Sequence, residues 1–295
     1  MTLSIGRVGV WTGALDAHPT AVAQDAARRL EELGYPTLWI PEAVGRDPFV
    51  ASANLLAATT KLRLATGIAN IYARDPMTMA ACRSTLAEAY PGRFVLGLGV
   101  SHRHLVTGVR KHDYSKPLSY MRQYLDGMDQ ALFMAQKPTE EAPTVLAALG
   151  PKMLELSATR TAGAHPYFTT PEHTAYSRQV MGEGPLLAPE QMVVLSTDPT
   201  EARTIARAGM AVYLRAPNYL NNLARLGFDE SDWADHTNAS DRLVDAIVAW
   251  GTAEQIAARV KAHHDAGADH VCVQVLRADR KLPLDEWAEL AGVLL

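Results

Sequence analysis

Short runs of apolar residues alternate along the chain with longer segments in which apolar residues recur at every third or fourth position. Residues 7–11 form the first short run, and residues 19–33 place alanine, leucine and valine at helical spacing. Buried strands give short apolar runs, whereas amphipathic helices give the wider spacing. The alternation repeats at intervals of roughly thirty residues, which is typical of βαβ units in a parallel sheet.

The pattern predicts strands that are each followed by a helix. The strands are predicted at residues 7–11, 37–40, 62–67, 93–100, 144–149, 164–169, 191–196 and 270–276. The main helices are predicted at 19–33, 47–59, 76–89, 117–135, 151–160, 171–181, 199–209, 252–266 and 284–294. Eight βα units indicate an α/β fold of the (β/α)8 TIM barrel type. An open doubly wound sheet is the alternative, but no Gly-x-Gly-x-x-Gly motif opens the first helix.

A single domain over residues 1–295 fits this organisation, because no Pro-, Gly- or Ser-rich linker interrupts the repeats. Residues 101–116 and 210–250 are the main insertions, and residues 216–249 are expected to hold extra helices and loops. In a barrel of this type, the loops that follow the strands carry the function. Functional side chains are therefore expected in those loops.

Composition narrows the classes of function. Apolar residues make up 48% of the chain and charged residues 20%, as in ordinary globular proteins. A net charge of −4 lacks the basic footprint of a nucleic-acid-binding protein. No apolar run approaches the ~18 residues of a membrane span, and residues 1–7 show no signal peptide. The distant Cys82 and Cys272 predict two reduced, buried thiols in a cytoplasmic protein.

The predicted fourth strand ends in an unusual way. Gly97 and Gly99 leave room for another group to lie against the backbone, and Ser101 and His102 come just past the end of the strand. Ligands of parallel α/β proteins bind at this edge. Gly67, near the end of the third strand, is followed by more apolar residues, which is typical of a kink or bulge. An uninterrupted longer strand is the alternative there.

The loop at residues 148–153 has the chemistry of an anion site. Gly150 allows a tight turn, and Pro151 is well suited to the first position of a helix. The free N–H groups and the dipole of that helix would attract a phosphate. An ordinary, well-capped loop is the alternative.

Taken together, several motifs resemble the bacterial-luciferase-like family of flavin- and deazaflavin-dependent oxidoreductases. They lie at residues 33–42, 64–70, 74–76, 92–99, 148–153, 251–254 and 267–271. The motifs at 39–42, 97–102 and 164–167 are most similar to those of the actinobacterial branch that uses the deazaflavin coenzyme F420. The resemblance implies a TIM barrel with insertions, a small organic substrate and a homodimer, for which the apolar second and third helices offer a face.

The resemblance also implies where a coenzyme binds. A non-proline cis peptide at Gly67-Ile68 would form a bulge behind the ring, with Ala69 and Asn70 beside it. The amides of Leu149 and Gly150 would hold the phosphate. The implied cofactor-binding residues are Gly67, Ile68, Ala69, Asn70, Val100, Ser101, His102, Ala148, Leu149, Gly150, Pro151 and Gly163.

The chain departs from the family at the catalytic position. Many relatives carry an acidic residue followed by histidine after the second strand, whereas this chain has Glu42 followed by Ala43. The remaining candidates for acid/base chemistry are His102, Glu42 and His165. His102 and His104 also have a spacing found in metal sites, but too few further ligands follow other strands, so we predict no metal. His263 and His264 are expected on a helix surface.

Four hypotheses follow. An F420-dependent oxidoreductase comes first, and an FMN-dependent monooxygenase is the nearest alternative. A metal-dependent TIM-barrel hydrolase and a non-catalytic flavin-binding protein represent other classes. The cations Arg103, Arg110, Lys111 and Lys116 in the first insertion favour F420, because its oligoglutamate tail and phosphate are anionic.

Overall fold

Parallel strands surround a filled interior in the computed structural model, which describes residues 5–279 and 281–295. Residues 1–4, part of the segment in which a signal peptide was sought, lie outside that range. The strands are β1 Val8–Trp11, β2 Thr37–Ile40, β3 Arg63–Thr66, β4 Ala69–Asn70, β5 Phe94–Gly99, β6 Thr144–Leu146, β7 Gly163–Ala164, β8 Leu186–Leu187, β9 Glu190–Val194, β10 Val248–Trp250 and β11 Val271–Val275.

The sheet closes on itself, as a TIM barrel requires. Its hydrogen-bonded order is β10-β9-β11-β1-β2-β3-β5-β6-β7-β8, and all pairs are parallel. The segment between β8 and β9 joins the two ends: the Ala188 amide donates to the Ala164 carbonyl at 2.9 Å, and the Asp269 amide donates to the Leu187 carbonyl at 2.9 Å. The chain from β8 to β9 therefore fills one barrel position, and the predicted fold class is confirmed.

The helices surround the barrel. They are α1 Thr20–Glu32, α2 Pro48–Ala57, α3 Pro76–Ala89, α4 Pro117–Asp129, α5 Pro151–Arg160, α6 Pro171–Met181, α7 Pro199–Met210, α8 Pro217–Arg225, α9 Glu230–Trp233, α10 Asp241–Ile247, α11 Ala253–Asp265 and α12 Leu284–Leu294. One π-helical segment, His104–Val109, lies in the first insertion. Over the described residues, the helices are too short or too polar to cross a bilayer.

Some strand predictions were wrong, including that of the fifth strand, which was expected over 144–149 but ends at Leu146. The sixth strand was expected over 164–169, but β7 ends at Ala164. Pro166 has no N–H to donate to a neighbouring strand. Phe168 has a φ of 59°, so the chain turns away from the strand direction. The second insertion, expected to hold only helices and loops, contains β10, which pairs with β9 at Val248↔Met192.

Aromatic and imidazole rings fill the barrel interior. The Trp39 ring stacks on His165 with centroids 4.3 Å apart, and its Nε1 donates to His270 Nε2 at 3.1 Å. His270 Nδ1 in turn donates to the Gly6 carbonyl at 2.8 Å. Burial lowers the pKa of His270 to about 3, so its imidazole is neutral at pH 7. Cys272 is buried here as expected, whereas Cys82 is only half-buried.

His263 is buried, which contradicts its predicted place on a helix surface. It lies on α11, its Nδ1 accepts from the Thr174 hydroxyl at 2.8 Å, and its Nε2 donates to Gln191 Oε1 at 3.0 Å. The helix turns this position toward β9, so the ring is fully enclosed. Two matched hydrogen bonds make a buried neutral imidazole tolerable.

The two glycines of β5 make room for the protein's own chain. A Cβ on Gly97 would lie 1.9 Å from the Thr66 carbonyl oxygen, and a Cβ on Gly99 would lie 2.4 Å from the Ile68 side chain. The Thr66 hydroxyl also bridges both backbone groups of Gly97, donating to its carbonyl at 2.7 Å and accepting from its amide at 2.9 Å. The end of β3 and the Ile68 side chain that follows it are therefore close neighbours of these glycines.

We expect Gly97→Ala to lower the free energy of unfolding by about 3 kcal/mol, because the new methyl group meets a backbone carbonyl that cannot move aside. Urea denaturation measures this change. Gly292→Ala is the control, since a Cβ there has no neighbour within 4 Å, and because Gly292 lies in α12 it should raise the free energy by up to about 1 kcal/mol. Equal stability of the two variants would contradict the crowding at β5.

Replacing His263 with glutamine tests the buried neutral imidazole. Burial lowers its pKa to about 3 from an ordinary 6.5, so its contribution to stability is complete above pH 6.5 and is lost as the pH falls toward 3. The loss reaches ~1.4 kcal/mol per pH unit for one proton. Between these pH values, urea denaturation should show a steeper fall in stability for the wild type than for His263→Gln. Parallel curves would contradict this assignment.

Candidate active site

A cavity of ≈ 510 Å³ opens at the C-terminal ends of the barrel strands. The residues around it come from both the barrel and the two insertions: Trp11, Pro41, Glu42, Ala43, Gly67, Ile68, Gly99, Val100, Ser101, His102, His104, Leu105, Ala147, Ala148, Leu149, Gly150, Met153, His165, Tyr167, Val212, Tyr213, Asn218, Tyr219, Asn221 and Arg225. The cavity thus brings together most of the residues that the sequence singled out.

A backbone bulge forms one wall. The Gly67-Ile68 peptide bond is cis, as the family resemblance implied. The Gly67 carbonyl accepts from Trp11 Nε1 at 3.0 Å, and the Ile68 carbonyl accepts from the Glu42 amide at 3.2 Å. Both carbonyls are therefore bonded to protein groups, which leaves the apolar Ile68 side chain, packed on Gly99, as the face of the wall.

Glu42 forms an almost fully buried ion pair with Arg74 behind this wall. Its carboxylate accepts two bonds from the Arg74 guanidinium, both at 2.8 Å, and one from the Asn70 amide at 2.7 Å. The Glu42 and Arg74 side chains are only 7% and 10% exposed. Arg110 of the first insertion lies 3.8 Å from the same carboxylate. Because Arg74 and the Asn70 amide occupy its lone pairs, Glu42 is better suited to holding the bulge in place than to transferring a proton.

The end of β5 supplies the opposite edge of the cavity. Ser101 has a φ of 56°, in the left-handed region, and its carbonyl accepts from the Tyr114 hydroxyl at 3.1 Å. This turn brings His102 to the cavity, where its ring lies 5.4 Å from that of Tyr219. Burial lowers the pKa of His102, and the Asn218 side chain raises it by a smaller amount. Within the described chain, its buried Nδ1 has no hydrogen-bond partner.

His165 lies at the floor of the cavity. Its Nδ1 donates to the Ala188 carbonyl at 2.8 Å, which leaves Nε2 without a proton. That Nε2 is 3.1 Å from the position that a Cβ on Gly67 would occupy, directly beneath the bulge. Burial lowers the pKa of His165 to about 4, so the ring is neutral at pH 7.

The start of α5 meets a cation from the second insertion. Gly150 is the N-cap, without a side-chain cap, and Pro151 occupies the first turn. One Arg225 guanidinium nitrogen, Nη1, lies 3.3 Å from the position of a Cβ on Gly150. In the part of the chain that the structure describes, Arg225 has no carboxylate within 4.0 Å. Uncapped amides beside an unpaired guanidinium form a place for an anion.

Three tyrosines form a wall that sequence reasoning missed. The Tyr167 hydroxyl lies 2.7 Å from that of Tyr213 and 2.7 Å from Gln274 Oε1, and Tyr219 packs against both rings. Tyr213, Tyr219 and Arg225 all come from the second insertion, whose pattern predicted helices but no function. Asn218 and Asn221 precede Arg225 at three- or four-residue spacing, and this polar helical face was the available signal.

Some predicted cofactor-binding residues lie outside the cavity. Ala69 and Asn70 are buried behind the bulge in β4, which pairs with β5. Pro151, at the start of α5, is not among the residues around the cavity. Gly163 lies within β7, where a Cβ would be 2.0 Å from the Leu186 carbonyl oxygen, so strand pairing explains this glycine. Over residues 5–279 and 281–295, no three His, Cys, Asp or Glu side chains converge as a metal site would need.

A family model described as luciferase-like monooxygenase matches residues 2–270 of the chain. A Mycobacterium tuberculosis protein, named provisionally as a coenzyme F420-dependent oxidoreductase, is 27% identical over 208 residues. That match covers 60% of this chain and 60% of the relative, so the chain spans less than two thirds of its length.

Solved structures share the fold along the whole chain. An F420-dependent secondary alcohol dehydrogenase, in complex with an F420-acetone adduct, superposes with a TM-score of 0.80 at 15% identity, covering 99% of this chain and 98% of the other. The oxygenating constituent of 3,6-diketocamphane monooxygenase from Pseudomonas putida, in complex with FMN, gives 0.72 at 15% identity, covering 98% and 96%. At this identity, both likenesses show the fold.

We expect Glu42→Gln to lower the free energy of unfolding by about 3 kcal/mol, because it leaves the buried Arg74 guanidinium without its main partner. Asp47→Asn is the matched control: Asp47 also contacts Arg74 at 2.8 Å, but its side chain is 44% exposed. Asparagine preserves the N-cap of α2, so this control should cost less than about 1 kcal/mol in urea denaturation. Equal losses would contradict the special role of Glu42.

Proposed function

We propose that this chain, which belongs to the luciferase-like monooxygenase family, is an oxidoreductase that transfers a hydride between coenzyme F420 and a small organic substrate. The mycobacterial relative and the superposed alcohol dehydrogenase, both named for F420, support this coenzyme. The superposed monooxygenase with FMN supports FMN as the alternative.

One observation carries the proposal: the charge in the cavity is confined to one end. Glu42 is paired with Arg74, and the other lining residues carry no fixed charge, since they have apolar, aromatic, hydroxyl, amide or imidazole side chains. Arg225 and the open start of α5 are the exception. A ligand with a neutral ring system and an anionic phosphate matches this distribution.

The residues present fit such a coenzyme. The Leu149 and Gly150 amides, with Arg225, would hold the phosphate, and Ala148 would line the approach to it. The bulge at Gly67-Ile68 would support the ring from one side, backed by Ala69 and Asn70. Val100, Ser101 and His102 would lie along the ring edge or the ribityl chain.

F420, when bound, supplies a ring carbon that carries the hydride. The protein's part is then to place the substrate and to handle the proton that accompanies the hydride. His102 is the best-placed group, because its neutral ring lies in the cavity wall with Nδ1 free to hold a proton. His165 is a second candidate, although its Nε2 lies below the bulge. The Tyr213 and Tyr219 rings would exclude water from the substrate side.

A homodimer and a cytoplasmic location remain part of the proposal. Val50 on α2 and Met77 on α3 are 63% and 52% exposed, which supports a partner on this face. The oligoglutamate tail would follow the phosphate out of the cavity. Of the cations once expected to attract it, Arg103 stacks over Tyr114 and Arg110 lies beside Glu42, so Lys111 and Lys116 are the ones left for this role.

Titration of the purified protein with F420 and with FMN tests the coenzyme, and we expect tighter binding of F420. Arg225→Gln should weaken that binding by about tenfold, because a charge-assisted contact to the phosphate is lost. Arg215→Gln, an exposed arginine ten residues earlier that does not line the cavity, should leave it unchanged. Gly150→Asp should abolish it, since the new carboxylate would pair with Arg225.

Binding of FMN without binding of F420 would overturn the coenzyme assignment and favour the monooxygenase. Equal effects of Arg225→Gln and Arg215→Gln would remove Arg225 from the phosphate site.

A further inference from the structure

His173 and Ser177 form a buried hydrogen-bonded pair on α6, beneath the loop that leads into α5. His173 Nε2 lies 2.9 Å from the Leu149 carbonyl oxygen, and the Ser177 hydroxyl lies 3.2 Å from His173 Nδ1. The two residues are 1% and 0% exposed. Neither lines the cavity, so any influence on a ligand must pass through the Leu149 backbone.

The partners fix the tautomer of this histidine. A carbonyl oxygen only accepts, so Nε2 must carry the proton and donate it to Leu149. In the neutral ring, Nδ1 then accepts from the Ser177 hydroxyl. Burial lowers the pKa of His173, the bond to Leu149 raises it by a smaller amount, and the nearby Arg225 charge lowers it slightly; the pKa stays below its ordinary value, so the ring is neutral at pH 7.

The bond to Leu149 also orients the next amide. In a trans peptide, the C=O of one residue and the N–H of the next point in opposite directions. Because His173 holds the Leu149 C=O on the α6 side, the Gly150 N–H points away from α6, and no protein acceptor contacts it among the described residues. A rotated peptide would instead present the carbonyl dipole to the anion beside Arg225.

We propose that His173 is a positioning residue for the phosphate of the coenzyme, with Ser177 fixing its tautomer. This inference rests on the proposed function, because the phosphate site at Gly150 and Arg225 belongs to it. His173 turns the Leu149-Gly150 peptide so that an N–H donor, rather than a carbonyl oxygen, faces the anion. The specificity for a phosphate-bearing coenzyme therefore depends on a side chain that never touches it.

Fluorescence titration of His173→Leu with F420, and with the deazaflavin riboside that lacks phosphate and tail, tests this role. FMN and riboflavin, which differ only by the phosphate, form a second pair. We expect His173→Leu to weaken binding of the phosphate-bearing member of each pair by about tenfold, because a charge-assisted donor is misplaced. Binding of the phosphate-free member should be unchanged. His173→Gln, which keeps an N–H donor, should restore most of the difference.

Thr174→Val is the matched control. Thr174 is the next residue on α6 and is equally buried, but it bonds to His263 instead of Leu149. It should lower stability without changing either affinity. If His173→Leu fails to fold, Ser177→Ala takes its place, and it should weaken binding of the phosphate-bearing member by about threefold.

The outcomes separate the two ideas. Unchanged discrimination in His173→Leu, or equal weakening for both members of a pair, would overturn the positioning role alone. A wild-type protein that binds both members equally would overturn the proposed phosphate site and this inference with it.

Discussion

The contact between β5 and the end of β3 is the constraint on which the rest of the site depends. Thr66 and Gly97 share two hydrogen bonds, and Ile68 occupies the space that a side chain on Gly99 would need. This close approach sets the bulge at the barrel mouth and gives the cavity its rigid wall. Glu42 then fixes the outer side of the bulge through Arg74 and the Asn70 amide. Larger side chains in place of these two glycines would displace the wall, and the space in front of it that could hold a ring system would be lost.

The cavity also has an uncharged interior and a charged end. The ionisable groups of the interior are neutral at pH 7, because burial lowers the pKa of His165 to about 4 and raises that of Glu190 to about 8. At the rim, Glu42 is balanced by arginine. The uncompensated charge is that of Arg225, and it lies where the α5 dipole is also positive. The cavity therefore offers an anion one specific position, and the remaining space has no fixed charge.

The sequence predicted the barrel, its βα order and the bulge, because these follow from local periodicity and from motifs near the strand ends. Helix caps are local in the same sense: the side chains of Asp198 and Thr252 accept from amides in the first turns of the helices that they precede. What failed depends on contacts between distant segments. Gly163 and the glycines of β5 were linked to ligands, but neighbouring strands explain them. His263 was placed at the surface because an isolated helix does not show what packs on it. Arg225 was missed because nothing local brings α8 to Gly150.

The second insertion packs on the barrel: its Leu214, Leu223, Leu243 and Val248 are buried in one apolar cluster with Met192 of β9. Its cavity-facing residues, Tyr213, Tyr219 and Arg225, lie within one short continuous segment, whereas the bulge and the uncapped helix belong to the barrel. This separation has a consequence for how the cavity can vary. Substitutions within residues 212–225 would change the lining while the barrel wall stays as it is. Arg225 is the residue of that segment that lies beside the start of α5, so a change there would alter the charged end of the cavity.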